Sequence, residues 1–205
     1  MFSSGRIRFG VKLAMAAVLV AAVGLTGATR SDAGHENEIE PCAISRNIGT
    51  DGDDHMVGTN GHDHLIGAGG NDRIEGLGDR DFLCGDQGDD SIDGGPENDT
   101  IYGDYDRERD GQPKGADLLV GGPGHDYLEG GPGPDELRGA KGDDELVGGG
   151  GEADDRLFGE AGNDRLRTGG GPGTDFLDGG DGFDQCFAGP RDRIENCEEI
   201  TRYDR

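Results

Sequence analysis

The sequence predicts an all-β fold, a parallel β-helix solenoid built from nine-residue units, two to each turn of the coil. Three observations carry that reading. A nine-residue period begins at Gly49 and holds its register for eleven units to Val147; four more units follow at 150–158, 159–167, 170–178 and 179–187, after two-residue insertions at Gly148-Gly149 and Thr168-Gly169. Glycine is concentrated in the first four positions, with Gly at position one in fourteen of the fifteen units and at position four in eleven. The last three positions alternate polar, apolar, polar: position eight is apolar in fourteen units, counting Cys186, with Asp110 the exception.

Each position has a physical reason. Glycines in the first four positions permit φ > 0 and close backbone approach, so the chain can turn sharply with its carbonyls directed inward. The polar-apolar-polar ending is a very short strand that buries one side chain. A turn and a strand every nine residues must coil so that each strand lies on a later copy of itself, and the position-eight side chains then fill a thin seam between two sheets. Position six is Asp in fourteen units and Glu108 in the other. One buried side chain per nine ordered residues does not offset the chain entropy, and stacked carboxylates repel one another. A cation is needed to neutralise the rows. A hard ion taking six to eight oxygens from turn carbonyls and carboxylates describes Ca²⁺ better than Mg²⁺, and its binding is then inseparable from folding.

Units such as GGPGHDYLE (121–129) and GGPGPDELR (130–138) resemble the GGxGxDxUx nonapeptide of RTX, or haemolysin-type, calcium-binding repeats. The resemblance spans 49–187 and implies a parallel β-roll in which turn carbonyls and the turn Asp bind Ca²⁺. The ligand carboxylates it implies are Asp54, Asp63, Asp72, Asp81, Asp90, Asp99, Asp117, Asp126, Asp135, Asp144, Asp155, Asp164, Asp175 and Asp184. The ends are similar to small secreted calcium-binding proteins of actinobacteria, with a Cys before GTDGDD and a closing DQCFAGPRDRIENCE (184–198). Unit 103–111 (GDYDRERDG) departs from the pattern at positions four and eight, so its sites are expected to be missing or the segment to bulge as a loop. Units with Asp79, Glu97, Asp106 or Ala153 in place of the second turn Gly are expected to bind less well.

The array is expected to be flanked by an N-terminal cap, 34–48, and a C-terminal cap, 188–205. Residues 1–33 read as a secretory signal peptide: Arg6, Arg8 and Lys12 precede an apolar run from Leu13 to Leu25, and Ser31-Asp32-Ala33 offers a small-x-small cleavage site. The run is about half the ~20 residues that span a bilayer, so a secreted, extracellular chain without a membrane anchor is expected. Export permits disulfides among Cys42, Cys84, Cys186 and Cys197. Four cysteines allow three pairings and the sequence does not choose among them. Cys42–Cys84 with Cys186–Cys197 is favoured because each would tie an end segment to the array.

Charge excludes other partners. The 205 residues carry 44 Asp plus Glu against 19 Lys plus Arg, a net charge of −25; loss of 1–33 removes four basic residues and one acidic one, leaving 15 against 43 and −28. Such a surface repels phosphate backbones and anionic headgroups, so nucleic acid is not an expected partner. Asp106-x-Glu108-x-Asp110-Gly111 with Asp117 in twelfth place is similar to an EF-hand loop but contains Pro113 and lacks helical flanks, and an acidic bulge is preferred. His55, His62 and His64 are expected to be solvated surface imidazoles, His55 and His64 on opposite faces. No residue cluster is left over for chemistry, so the expected function is non-enzymatic calcium binding by an extracellular structural or interaction module. The alternatives are a calcium-dependent accessory or remnant of an RTX exoenzyme, and a cell-surface adhesin; no protein or cell-surface partner is identified.

Overall fold

Among the described residues seventeen short strands run along a coil and fall into two sheets, each holding every second strand. One has the order β1-β3-β5-β7-β9-β11-β13-β15-β17 and the other β16-β14-β12-β10-β8-β6-β4-β2. The structure, a computed structural model, describes residues 42, 47–105, 115–150 and 152–203. The strands are β1 (Asn47–Ile48), β2 (His55–Val57), β3 (His64–Gly69), β4 (Arg73–Glu75), β5 (Phe82–Gln87), β6 (Ser91–Asp93), β7 (Thr100–Tyr102), β8 (Leu118–Pro123) and β9 (Tyr127–Glu129). They continue as β10 (Glu136–Lys141), β11 (Glu145–Val147), β12 (Arg156–Ala161), β13 (Arg165–Arg167), β14 (Phe176–Asp181), β15 (Gln185–Ala188), β16 (Arg193–Glu195) and β17 (Glu199–Arg202).

Every pairing is parallel and pairs equivalent positions of successive coils: Leu137 faces Leu119 on one side and Leu157 on the other. The expected solenoid of two units per turn is therefore observed, with about eight turns. The seam between the sheets consists of the position-eight side chains. From Leu65 through Ile74, Leu83, Ile92, Ile101, Leu119, Leu128, Leu137, Leu146, Leu157, Leu166 and Leu177 to Cys186 they are buried, and they form one continuous cluster. Parallel strands six residues or fewer in length hold so little area that no unit is stable alone; each depends on its neighbours.

Three features of the register refine the expectation. First, the register breaks at 103–111, where a bulge was one of the two expected outcomes. In the coil β7 is followed by β8, and pairing across this point joins residues 27 apart, Ile92 to Leu119 and Ile101 to Leu128, against 18 before it. Gly103 takes position one and Gly115-Ala116-Asp117 take positions four to six of a single unit, since a Cβ on Gly103 would lie 2.2 Å from Asp117 Oδ2. Residues 106–114, with Asp106, Glu108, Asp110 and Gly111 of the EF-hand-like stretch, lie outside the described residues.

Second, Gly148-Gly149 and Thr168-Gly169 are not spacers between units. Gly148 N–H donates to the Arg167 carbonyl and Thr168 N–H to the Phe187 carbonyl, the bond that Gly130 makes to Val147. They thus fill positions one and two, and the two extra residues fall within 150–152 and 170–172, inside the turn where a longer loop costs little. Third, the coil runs beyond 187: β16 pairs with β14 and β17 with β15, placing Ile194 opposite Leu177 and Ile200 opposite Cys186.

Both favoured disulfides are present, Cys42–Cys84 with Cα atoms 6.2 Å apart and Cys186–Cys197 with 6.1 Å. The first holds Cys42 to β5; the second joins the last core position to the segment between β16 and β17. The stretch read as an export signal, 1–33, and all of 34–46 except Cys42 lie outside the described residues.

Candidate metal centre

The turn carboxylates stand in two rows, one along each edge of the coil. One row is Asp54, Asp72, Asp90, Asp117, Asp135, Asp155 and Asp175; the other is Asp63, Asp81, Asp99, Asp126, Asp144, Asp164 and Asp184. All fourteen residues expected as ligands are thus brought into register, and each row is held by the same bond. The backbone N–H of one Asp donates to Oδ1 of the Asp in the next coil: Asp72 to Asp90 at 2.8 Å, Asp90 to Asp117 at 2.9 Å, Asp99 to Asp126 at 2.8 Å and Asp144 to Asp164 at 2.8 Å. A buried N–H must find an acceptor, and here the carboxylate of the following turn supplies it.

That bond uses one oxygen of each carboxylate. The other, Oδ2, is buried without a hydrogen-bond partner in Asp72, Asp81, Asp90, Asp99, Asp117, Asp126, Asp135, Asp144, Asp164 and Asp184. Buried polar oxygens are nearly always satisfied, so a repeated series of unsatisfied ones calls for a positive group. Position-one glycine makes the space they occupy. A Cβ on Gly85 would lie 2.1 Å from Asp90 Oδ2, and one on Gly94 would lie 2.4 Å from Asp99 Oδ2 and 2.8 Å from the Gly121 carbonyl oxygen of the next coil. The same pair, carboxylate oxygen and carbonyl oxygen, faces Gly130, Gly139 and Gly159.

Burial raises the carboxyl pKa values along both rows. Asp90, Asp99, Asp144, Asp155 and Asp164 are pushed up to about 7, and Asp126 and Asp135 to about 6, chiefly by desolvation, against which the backbone N–H works. Asp117 is pushed up to about 9 by burial, with the neighbouring Asp135, Asp104 and Asp90 carboxylates adding to it. Asp72, Asp81, Asp175 and Asp184 are raised for the same first reason. Burial thus disfavours the charged form of these groups, and a cation beside them would favour it.

The donor set fits a hard cation. It is all oxygen, from carboxylates and backbone carbonyls, and those atoms suit Ca²⁺ or Mg²⁺ rather than a thiolate- or imidazole-seeking metal. Among the described residues no group of three or more His, Cys, Asp or Glu side chains converges as a ready-made cage. The residues that would hold a cation here are the row carboxylates, with the turn carbonyls beside them, such as that of Gly121 next to Asp99. Where Gly is replaced at position four, Asp79 and Glu97 keep the left-handed backbone, with φ of 70° and 85°; an L-residue held there is strained, which the turn tolerates because the coils on either side fix it.

Two sets of residues were not foreseen. Asp192 and Glu198 extend the rows by one rung each: Asp192 Oδ1 accepts the Asp175 N–H at 3.2 Å and Glu198 Oε2 the Asp184 N–H at 2.8 Å. The signal was in the sequence, for Asp192-Arg193-Ile194-Glu195 repeats Asp72-Arg73-Ile74-Glu75 letter for letter. A second, outer ladder runs through position five: Asn71 N–H donates to Asp53 Oδ1, Asp89 N–H to Asn71 Oδ1, Ala116 N–H to Asp89 Oδ1 and Asn163 N–H to Asp143 Oδ1. The recurring Asx before the position-six Asp carried that signal.

Two histidines, His55 and His64, lie on the strands, whereas His62 and His125 stand close enough to the rows to lower the pKa of Asp81 and of Asp126 and Asp144 respectively. His55 on β2 faces Glu75 at 3.3 Å and His64 on β3 packs edge-on to Phe82, centroids 4.6 Å apart, so the two lie on opposite sheets as expected. His64 is half-buried rather than solvated, because β5 places an aromatic ring beside it. His62 Nδ1 lies against the Arg80 carbonyl.

The profile of the RTX calcium-binding nonapeptide repeat matches the chain in four copies, at residues 48–83, 85–106, 120–152 and 150–186. The gap between the second and third copies covers the point where the register jumps by nine residues. Among the curated proteins none matches.

Proposed function

The chain belongs to the RTX calcium-binding repeat family, whose repeats bind calcium and whose members are typically secreted, and from that premise we propose that it is a non-enzymatic extracellular module whose coil assembles around Ca²⁺. The carrying observation is the series of buried Oδ2 atoms without partners, repeated from Asp72 to Asp184 along both edges. Calcium supplies the positive charge that these oxygens lack. The chain's own residues do the rest: the Asp carboxylates point inward, the position-one glycines leave room, and the turn carbonyls complete an oxygen shell.

Several observations support the wider reading. Two disulfides suit an oxidising compartment. Among the described residues no helix is long and apolar enough to cross a membrane. The repeated Asp residues serve the ladder. The partner of such a module is a protein or a cell surface rather than a nucleic acid, given the charge of −25.

Isothermal titration of the oxidised chain with CaCl₂, and separately with MgCl₂, tests the proposal. Multiple calcium ions bound per chain, with magnesium failing to compete at equal concentration, is the expected result. Absence of calcium binding, or equal binding of the two ions, contradicts it.

A further inference from the structure

The two acid rows are not uniform, and the difference lies in position two of the unit. In five interior units this residue takes a left-handed backbone although it is not glycine: Ala68 (φ 86°), Leu77 (φ 82°), Asp86 (φ 78°), Ala140 (φ 80°) and Glu160 (φ 72°); Asp104 is outside that set, but its N–H also donates to the next coil, at the Gly130 carbonyl, 2.8 Å away. That geometry turns the position-two N–H towards the next coil, as where Asp86 N–H donates to the Gly103 carbonyl at 2.9 Å and Gly95 N–H to the Gly121 carbonyl at 3.1 Å. The unit's own Asp then receives nothing on Oδ2.

Units one and two have Thr at this position. A β-branched residue resists φ > 0, and neither Thr50 nor Thr59 is among the positive-φ residues. Their N–H groups turn instead onto the unit's own carboxylate: Thr50 N–H donates to Asp54 Oδ2 at 2.6 Å and Thr59 N–H to Asp63 Oδ2 at 2.6 Å. Each threonine hydroxyl lies 2.9 Å from the same oxygen and can donate a second bond. The far end of one row is closed by a different pair of donors, one of them from the preceding coil. Asp192 Oδ2 accepts from Gly189 N–H at 2.6 Å and from Thr168 Oγ1 at 2.9 Å, with Thr168 buried at the position one that glycine fills elsewhere.

We propose that Asp54, Asp63 and Asp192 are closing rungs that take no cation, their Oδ2 atoms being satisfied by threonine hydroxyls and backbone N–H groups, so that calcium is confined to the interior of the rows. This rests on the calcium reading above and divides its ligand set. At Asp54 and Asp63 two donors from the same turn take the place of an ion without needing a second coil; at Asp192 one donor is the same-turn Gly189 N–H and the other the Thr168 hydroxyl of the preceding coil. The ends then hold their turn geometry irrespective of metal and present a template on which the first interior coil can close.

Bound calcium per chain, counted by native mass spectrometry of the full oxidised chain at saturating calcium, tests the division. The double variant Asp54→Asn with Asp63→Asn is expected to retain the wild-type ion count, whereas Asp99→Asn with Asp126→Asn loses at least one ion. Ala68→Thr, which puts a closing residue beside Asp72, is expected to lose one ion while keeping its strand signal in excess calcium. Equal losses from the end and interior pairs, or an unchanged count in Ala68→Thr, overturn the proposal. A wild-type chain that binds calcium in either case keeps the functional reading intact; a wild-type chain that binds none overturns that reading and this one with it.

Discussion

Each position-six Asp makes two different contributions through its two oxygens. Oδ1 is an acceptor in the backbone ladder and Oδ2 is a buried charge awaiting a partner. Asp144→Ala removes both, leaving the Asp126 N–H without its 2.8 Å acceptor. A buried donor left unsatisfied costs about 1–3 kcal/mol, so urea melts in saturating calcium are expected to show a loss of that order together with fewer bound ions. The raised carboxyl pKa values set a pH dependence of definite sign. A carboxyl that holds its proton more tightly in the coil than in the open chain stabilises the metal-free coil while protonated. That contribution is complete below the ordinary carboxylate value and is lost as pH rises through about 7 for Asp90, Asp99, Asp144, Asp155 and Asp164. In chelator, far-UV circular dichroism is therefore expected to show strand content increasing as pH is lowered from about 8 to about 5. With calcium present the sign reverses, because protons compete with the ion, and the apparent calcium affinity weakens over the same range.

At the scale of the unit, the position-one glycine and the position-eight leucine are the least replaceable residues after the Asp. A Cβ on Gly85 would meet Asp90 Oδ2 at 2.1 Å and also lie 2.7 Å from its Cγ, so Gly85→Ala must displace the carboxylate. It is expected to remove one calcium ion and to leave the sheets intact, which ion counting alongside circular dichroism separates. Leu137→Ala opens a cavity in a seam one side chain thick and is expected to cost about 2–5 kcal/mol in urea melts. Much at this scale was legible in the sequence. The nine-residue period gave the strands, the seam and the rows, because a periodic turn admits one way of stacking. The register at the breaks was not legible. Gly148-Gly149 and Gly150 are chemically alike, so only the bond from Gly148 N–H to Arg167 shows which glycines begin the unit. The departure at 103–111 was legible as a bulge, but not that Gly103 keeps position one of the unit that ends in Asp117, which puts the nine extra residues at 106–114. The closing role of Thr50 and Thr59 was hidden because both sit beside an Asp that matches the repeat.

Over the whole molecule, nearest-neighbour stacking means that a fault propagates only as far as the next coil that can close. The two disulfides act near the ends: Cys42–Cys84 spans 42 residues and Cys186–Cys197 spans 11. Closing loops of that size stabilises a fold by about 2–4 kcal/mol each through the unfolded chain, so reduction is expected to lower the urea midpoint in calcium without changing the number of ions bound. Deletion of 106–114 would restore the 18-residue spacing between Ile92 and Leu119, and the shortened chain is expected to keep its calcium-dependent strand signal. The net charge of −25 opposes any compact state without a counterion, and on the proposed reading metal switches the chain from an open form to the coil. Following hydrogen exchange at the amides of Asp81, Asp99, Asp126 and Asp144 in chelator and then in calcium, at pH about 8 and moderate salt, tests that most directly. The account predicts that these ladder amides exchange freely without metal and become protected together once calcium is added. Protection already complete in chelator would contradict it, since the unpartnered carboxylate oxygens would then be tolerated without any ion.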